Sequence, residues 1–460
     1  MAGVDRYPPR PGRRPGGAFK RCDRPVGPAR HPHPGGDGVS KPLHPLFRSE
    51  RRAAWVLQFL VVVGVLVVLV LDVFGDSSPN QEAVTPEAVQ ANDQTIPEAA
   101  SPDAEVPATV STQPAPTSTE PVRAFTLVAT GDIISHGAVA ERADANVDDG
   151  WDFSEMFRRV RPILAGADLA LCHLESPLSM HDDDLSFRGT FRVPSSLADA
   201  IAGAGYDGCS LASNHALDSG PSTVESTLYH LRRVGLATAG MADRAEAAGP
   251  AWFDPGGIRV AHLSVTDFLN GRDLPTDPPW LVGHLDVDLV AADAAAAVAA
   301  GAEFVVVSVH WGEEYRTDPT ARQLEAADRL LRAPDVDLVL GHHAHVVQPV
   351  IVHDGKAAAL GLGNFLTNQP GDDKNPCRSC PPHTQDGMIA WFSVADGANG
   401  PQVDDAGYVP TWVDRTNAYE IVPIGIDDPD HVDPAVLAAS AARTAAVVEP
   451  DLRRLQFTAG

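Results

Sequence analysis

"LVLGHHAHVVQPV", residues 338–350, decides how this chain is read, because an apolar β-type run ends there in three histidines within four positions. Five other runs end in the same way, each passing from β-branched residues into a polar cluster: "FTLVATGD" (125–132), "DLALCHLES" (168–176), "DGCSLASNH" (207–215), "IRVAHLSVTD" (258–267) and "EFVVVSVHWG" (303–312). Together with "VDLVLGHHAH" (336–345) they read as six strands. Between them, "FSEMFRRVRPILAGA" (153–167), "SSLADAIAGAG" (195–205), "STVESTLYHLRRVG" (222–235) and "TARQLEAADRLLRAP" (320–334) carry helical spacing. Alternating strand and helix predict an α/β domain whose parallel sheet is covered by helices. Further on, a hairpin turn "HDGK" (353–356) and the runs "GMIAWFSV" (387–394) and "AYEIVPIGI" (418–426) predict a second sheet.

In open α/β sheets ligands gather beyond the carboxyl ends of the strands. The unusual polar residues of this chain fall there: Asp132, Glu175, Asn214 with His215, His310, His343 with His345, and Asn364 in "GLGNF". Carboxylates, an amide oxygen and neutral imidazoles converging in one sheet mouth are costly to desolvate, and a divalent cation removes that cost by coordinating them. Mixed oxygen and nitrogen ligation without cysteine suits Mn, Fe or Zn. An extended His-Ala-His segment puts His343 and His345 on one face as ligands and turns His342 the other way. Asp218, three residues after His215, is placed to orient its imidazole, and equally to serve as an acid at a helix N-terminus.

The motifs "GDIISHG", "LESPLS", "SNHALDSG", "HWGEEY", "GHHAHVVQP" and "GLGNF", in this order, resemble the CapA family of poly-γ-glutamate capsule synthesis, related to calcineurin-like metallophosphoesterases, over roughly residues 124–395. The resemblance implies a four-layer α/β/β/α metallophosphatase-like sandwich with two metal ions. It assigns Asp132 and His345 to the first metal, Asn214, His310 and His343 to the second, and Glu175 as the bridge, with His215 donating a proton to the leaving group and water as the nucleophile. The segment "FRGTFRVPSSL" also resembles the family pattern; its Arg188 and Arg192, with Asn364, are candidate substrate contacts, since a guanidinium suits a carboxylate or phosphate. The chain departs from the related phosphoesterases at their opening Asp-x-His, because residue 134 is Ile and the nearest histidine is His136. His173 stands where the family commonly has Asn.

Residues 53–71, "AAWVLQFLVVVGVLVVLVL", are apolar apart from Gln58 and reach about 28 Å as a helix, enough to cross a bilayer core. Twelve Lys/Arg stand before them against four acids, and nine acids follow before the next basic residue, Arg123. The positive-inside rule then predicts a basic cytoplasmic arm (1–52), one transmembrane helix (53–74), a Pro/Thr/Ala-rich extracytoplasmic linker (75–122), the metallophosphatase-like domain (123–430) and a helical tail (431–460). The apolar core is long for a cleavable signal peptide. The chain carries −26 overall even with its basic arm, so nucleic acid is excluded as a partner of the outer domain. The expected partners are the membrane, an anionic cell-surface polymer and, by family only, a membrane capsule-synthase complex.

Of five cysteines, Cys172 and Cys209 read most simply as buried small apolar residues, although neighbouring strands could bring them together. Cys377 and Cys380 in "NPCRSCPP" are expected to form a local disulfide. Three functions stay open: a metal-dependent hydrolase acting on the polymer, a non-catalytic polymer-binding or export component, and a surface phosphoesterase.

Overall fold

The computed structural model describes residues 122–448 and 452–455, apart from 274, 276 and 372–376. The expected arm, membrane span and linker lie outside the described residues except for Val122. No helix among the described residues is long and apolar enough to cross a membrane.

The strand Ala124–Ile133 is the centre of the first sheet. On one side it pairs in parallel with Leu169–Leu174, followed by Gly208–Ser210 and Ala237–Ala239. On the other side it pairs antiparallel with Asp386–Gly397, followed by Gly400–Asp414 and Glu420–Pro423. The second sheet holds Val260–Thr266, Phe304–His310, Leu338–His342 and Lys356–Ala359 in parallel, with antiparallel edge strands Ala251–Phe253 and Val350–His353. The six parallel runs therefore divide three and three between two sheets. The later strands "GMIAWFSV" and "AYEIVPIGI" do not build the second sheet, as expected, but extend the first one antiparallel.

Alternation along each strand produces the layers. Phe125, Leu127 and Ala129 point at the second sheet and pack with Val260, Phe304, Val306, Leu338 and Leu340. Val128 points the opposite way, under Leu197, Ile201, Val224 and Leu228 of the helices Leu197–Ala204 and Pro221–Arg233. In the second sheet Val305, Val307 and Val339 face Val290, Ala294, Ala327 and Leu330 of the helices Val287–Ala299 and Ala321–Arg332. The order is helix, sheet, sheet, helix, so the described domain has the four α/β/β/α layers.

Local chemistry sets the helix limits. Thr320 and Gln323 form a reciprocal capping box at the start of Ala321–Arg332. Asp286 caps Val287–Ala299, and Leu197–Ala204 ends on Gly205 at φ 103°. The expected helix 153–167 is broken into a 3-10 turn, Ser154–Phe157, and one short turn, Arg161–Leu164, carrying Pro162. In the tail, Pro434–Val448 is helical and packs on the first sheet, where Ser440 and Arg443 hold Asp386.

Cys172 and Cys209 are opposite one another on adjacent parallel strands and form a disulfide, so they are not the free buried thiols expected. Cys377 and Cys380 are also bonded.

Candidate metal centre

Five of the six runs end in side chains that converge on one mouth between the sheets, and the loop after Val260–Thr266 adds Asn270. Close backbone packing makes this possible: a Cβ on Gly131 would lie 2.1 Å from the Gly363 carbonyl, and one on Gly341 2.0 Å from that of Leu360. Asp132 leaves the end of the first strand fully buried. One carboxylate oxygen lies 3.1 Å from His342 Nδ1, and the other accepts the His343 backbone N–H at 3.1 Å and faces His345 Nδ1 at 3.2 Å. His345 Nδ1 also donates to Asn364 Oδ1 at 3.0 Å, leaving its Nε2 directed at Glu175 Oε1, 3.8 Å away. On the far side, His310 Nε2 lies 3.0 Å from Asn214 Oδ1 and its Nδ1 lies 3.0 Å from His173 Nε2. The His310 and His343 rings are 4.8 Å apart.

His343 and His345 sit at φ 86° and 55°, in the left-handed region that residues with a Cβ rarely adopt. That strained backbone overturns one expectation. His342 does not point away; its ring stacks on His173 at 4.0 Å, beside Asp132. Strand alternation stops at His342, so the expected extended His-Ala-His does not set the directions of the three rings.

Two groups of ligand-type atoms result, Asp132 with His173 and His342, and Glu175 with His343 and His345, each within 4.8 Å. The two groups meet where His345 faces Asp132, and Glu175 is buried at 1% exposure with no hydrogen-bond partner for either carboxylate oxygen among the described residues. His343 Nδ1 is likewise unpartnered. Burial drives the Glu175 carboxyl up to about 7, against the opposing pull of His345 and His215. Burial opposes charge on His345 too, yet Glu175 and Asp132 lift it to about 10. Burial holds His173 and His310 well below the ordinary histidine range and His343 at about 3, so these rings are neutral and keep a lone pair for a ligand. A site with orphaned carboxylate oxygens, a histidine forced to carry charge and a ring of neutral imidazoles is short of positive charge. Divalent cations fit that donor set.

His215 stands at the rim. Its Nδ1 pairs with Asp218 Oδ2 at 2.7 Å, its Nε2 faces Glu175 Oε1 at 3.9 Å, and Phe191 packs edge-on at 4.7 Å. Asp218 is fixed in turn by the Phe191 backbone N–H at 2.5 Å. Asn270 Nδ2, which the sequence reading passed over, lies 3.4 Å from the His215 ring, and Asn214 Nδ2 donates to Asn270 Oδ1 at 3.3 Å. Only the sheet mouth brings it close, since "DFLN" carries no signal of its own.

The chain matches the family described as bacterial capsule synthesis protein PGA_cap over residues 126–369, more than half its length. It belongs to that family. Among its relatives are the capsule biosynthesis protein CapA of Bacillus anthracis, 29% identical over 53% of this chain and 60% of the relative, and the PGA biosynthesis protein CapA of Bacillus subtilis (strain 168), 26% identical over 46% and 57%. The match thus spans about 60% of those relatives' length. Similar solved structures include a 5′-nucleotidase precursor of Thermus thermophilus, with TM-score 0.37, 19% identity and coverage of 70% of this chain and 58% of that one. A calcineurin-like phosphoesterase of Bacillus subtilis gives TM-score 0.36 and 10% identity over 71% and 98%.

The remaining candidates separate. A cavity of about 550 Å³ beside the centre is lined by Arg188, Phe191, Tyr315 and His136, with the Tyr315 ring 6.0 Å from that of His345. Arg192 is ion-paired with Asp184 and does not line it. Asn364 spends its amide on His345 O, Gln369 Oε1 and Thr384 O, which makes it a support for His345. Ile134, at the place of the missing ligand, is buried in the outer core, while His136 Nδ1 accepts the Asn368 backbone N–H. Trp311 packs in the core and donates to Leu360 O.

Proposed function

We propose that this chain is a membrane-anchored, extracytoplasmic component in the synthesis or export of an anionic cell-surface polymer, with a hydrolase-type centre for two divalent transition-metal ions (Mn, Fe or Zn). The single observation that carries the catalytic part is Glu175, buried with no hydrogen bond to either carboxylate oxygen among the described residues and grouped with His343 and His345. The names of the relatives, which refer to capsule and PGA biosynthesis, support poly-γ-glutamate as the polymer. The positive-inside pattern around residues 53–74 supports the anchor and its orientation.

Asp132, Glu175 and His345, with His173 and His342 adjacent, would hold one cation, and Glu175, Asn214, His310 and His343 the other. Such ions supply Lewis acidity and lower the pKa of coordinated water. The chain's own part is proton handling and orientation. Asp218 fixes the Nδ1 side of His215, so a proton carried on Nε2 is directed into the mouth, where a leaving group can take it. Asn364 and Asp132 share His345 Nδ1–H and keep Nε2 free.

A second reading, polymer binding or export without catalysis, is favoured by one observation: the first group lacks the histidine of Asp-x-His, with Ile134 turned into the core. Metal analysis of the purified chain, beside a His310→Ala, His343→Ala variant, separates the two. Close to two transition metals per chain, depleted in the variant, supports the hydrolase; a folded chain that takes up none when metals are supplied leaves only the binding role.

A further inference from the structure

The disulfide turn Cys377–Cys380 has no part in the metal centre, yet it lines the same cavity as Arg188, Phe191 and Tyr315. Its placement is set by the centre itself. The amide of Asn364, which supports His345, donates to Gln369 Oε1 at 3.0 Å before the turn and to Thr384 O at 2.8 Å after it. Cys377 N–H is tied to Pro370 O at 3.3 Å, and Cys380 N–H to Cys377 Sγ at 3.2 Å. The crosslinked turn therefore lies between two stretches fastened to the centre, and Arg378 is its charged side chain in the cavity lining, beside Ser379.

Arg378 is exposed and has no acceptor among the described residues; the same is true of Arg188, which lies at the tip of the hairpin Ser186–Arg188/Thr190–Arg192 and lines the same cavity. Many other arginines of the domain are paired, as Arg192 is with Asp184 and Arg443 with Asp386. Glu141, a carboxylate lining the same cavity, has an interaction of its own. Two guanidiniums on separate elements, neither with an acceptor among the described residues, with Phe187, Phe191 and Tyr315 in the same lining, favour spaced single charges joined by apolar links over a compact polyphosphate, which needs convergent donors.

We infer that the disulfide turn is a substrate-positioning wall: Cys377–Cys380 holds Arg378 so that it and Arg188 bind separate carboxylates of a polycarboxylate chain entering the metal centre. This rests on the polymer reading above and adds the residues that grip the chain.

The test uses the full chain in detergent and a fluorescent γ-linked glutamate decamer, with affinity read by anisotropy. Arg378→Ala and Arg188→Ala should each weaken binding about tenfold, and Cys377→Ser with Cys380→Ser about threefold, because Arg378 is then present but less ordered. An uncharged decamer of γ-linked isoglutamine, with its α-carboxylates converted to amides, should bind all variants alike, and metal content should not change, which a merely structural role of the turn would not predict. Wild-type affinity in a folded Arg378→Ala chain, or equal loss for both decamers, overturns the inference. Arg378-dependent binding without hydrolysis removes the catalytic part of the reading above and leaves the wall standing. Arg378-dependent binding of tripolyphosphate, with no binding of the decamer, overturns the polycarboxylate ligand together with the polymer reading.

Discussion

The two ends of the same parallel strands use the same residue types for opposite purposes. At the amino ends an acid stands immediately before each of several strands and accepts a backbone N–H from its neighbour: Asp168 from Thr126, Asp207 from Ala170 and Asp337 from Val305, each at 2.8 Å, and Glu303 from Arg259 at 3.0 Å. The start of a parallel strand leaves an N–H unpaired, and the acid satisfies it. At the carboxyl ends, Asp132 meets two imidazoles, and Glu175 faces His345 and His215 at 3.8 and 3.9 Å without a hydrogen bond to either oxygen among the described residues. Residue type by itself does not distinguish structure from function here. What distinguishes them is whether the buried charge is completed by the chain itself.

The largest effect expected from this contrast is at Glu175. Glu175→Gln keeps the shape and removes the charge, so metal affinity should fall about 100-fold or more while the metal-free fold is no less stable, because an uncompensated buried carboxylate has been taken away. Metal titration and urea unfolding of the stripped protein read both halves. Wild-type metal affinity in this variant would break the comparison, since Glu175 would then be no more functional than Asp207.

His215→Ala comes next. It should leave metal content intact and lower turnover of a γ-glutamyl polymer about 10²- to 10³-fold, with Asp218→Asn costing about tenfold through loss of ring orientation. Loss of metal in His215→Ala would instead make this histidine part of the ligand set.

Much of this contrast could be read before the fold was known, and the parts that could not share one cause. The six strands are legible because their β-branched runs are bounded by polar clusters, and the gathering of Asp132, Glu175, Asn214, His310 and His345 follows from strand-end position alone. The split of those strands into two sheets is not legible, since nothing in Leu171 or Val306 specifies its neighbour. The Cys172–Cys209 bond was hidden for the same reason, as it depends on the register of two strands 37 residues apart. His342 was misread because the left-handed backbone at His343 ends the alternation. The helix Val287–Ala299 went unrecognised because its buried face is Val290, Ala294 and Ala297, a stripe too small to stand out.

A smaller effect belongs to the amino ends. Asp207→Ala leaves the Ala170 N–H without its acceptor, at a cost of about 1 kcal/mol. Chemical denaturation should show that loss with metal stoichiometry unchanged. A matching fall in metal content would mean that the two ends of the sheet are not independent.

The smallest effect is one of pH. Burial pushes the Asp337 carboxyl up to about 6 from an ordinary 3.8, against the opposing influence of the Val305 N–H and Lys356. Between those two values the folded chain holds a proton that the unfolded chain has released, so folding is favoured at the lower end and stability falls as pH rises through the window. Asp337→Asn keeps an oxygen for Val305 N–H and cannot ionise, so the variant should lack that decline and be the more stable at pH 7.5. The other titrating groups are common to both chains, and the difference between their unfolding curves from pH 4 to 7.5 isolates this one carboxylate. Parallel curves would show that Asp337 is ionised at no net cost. The amino-end acids would then be fully compensated by the backbone, and the contrast with Glu175 would widen.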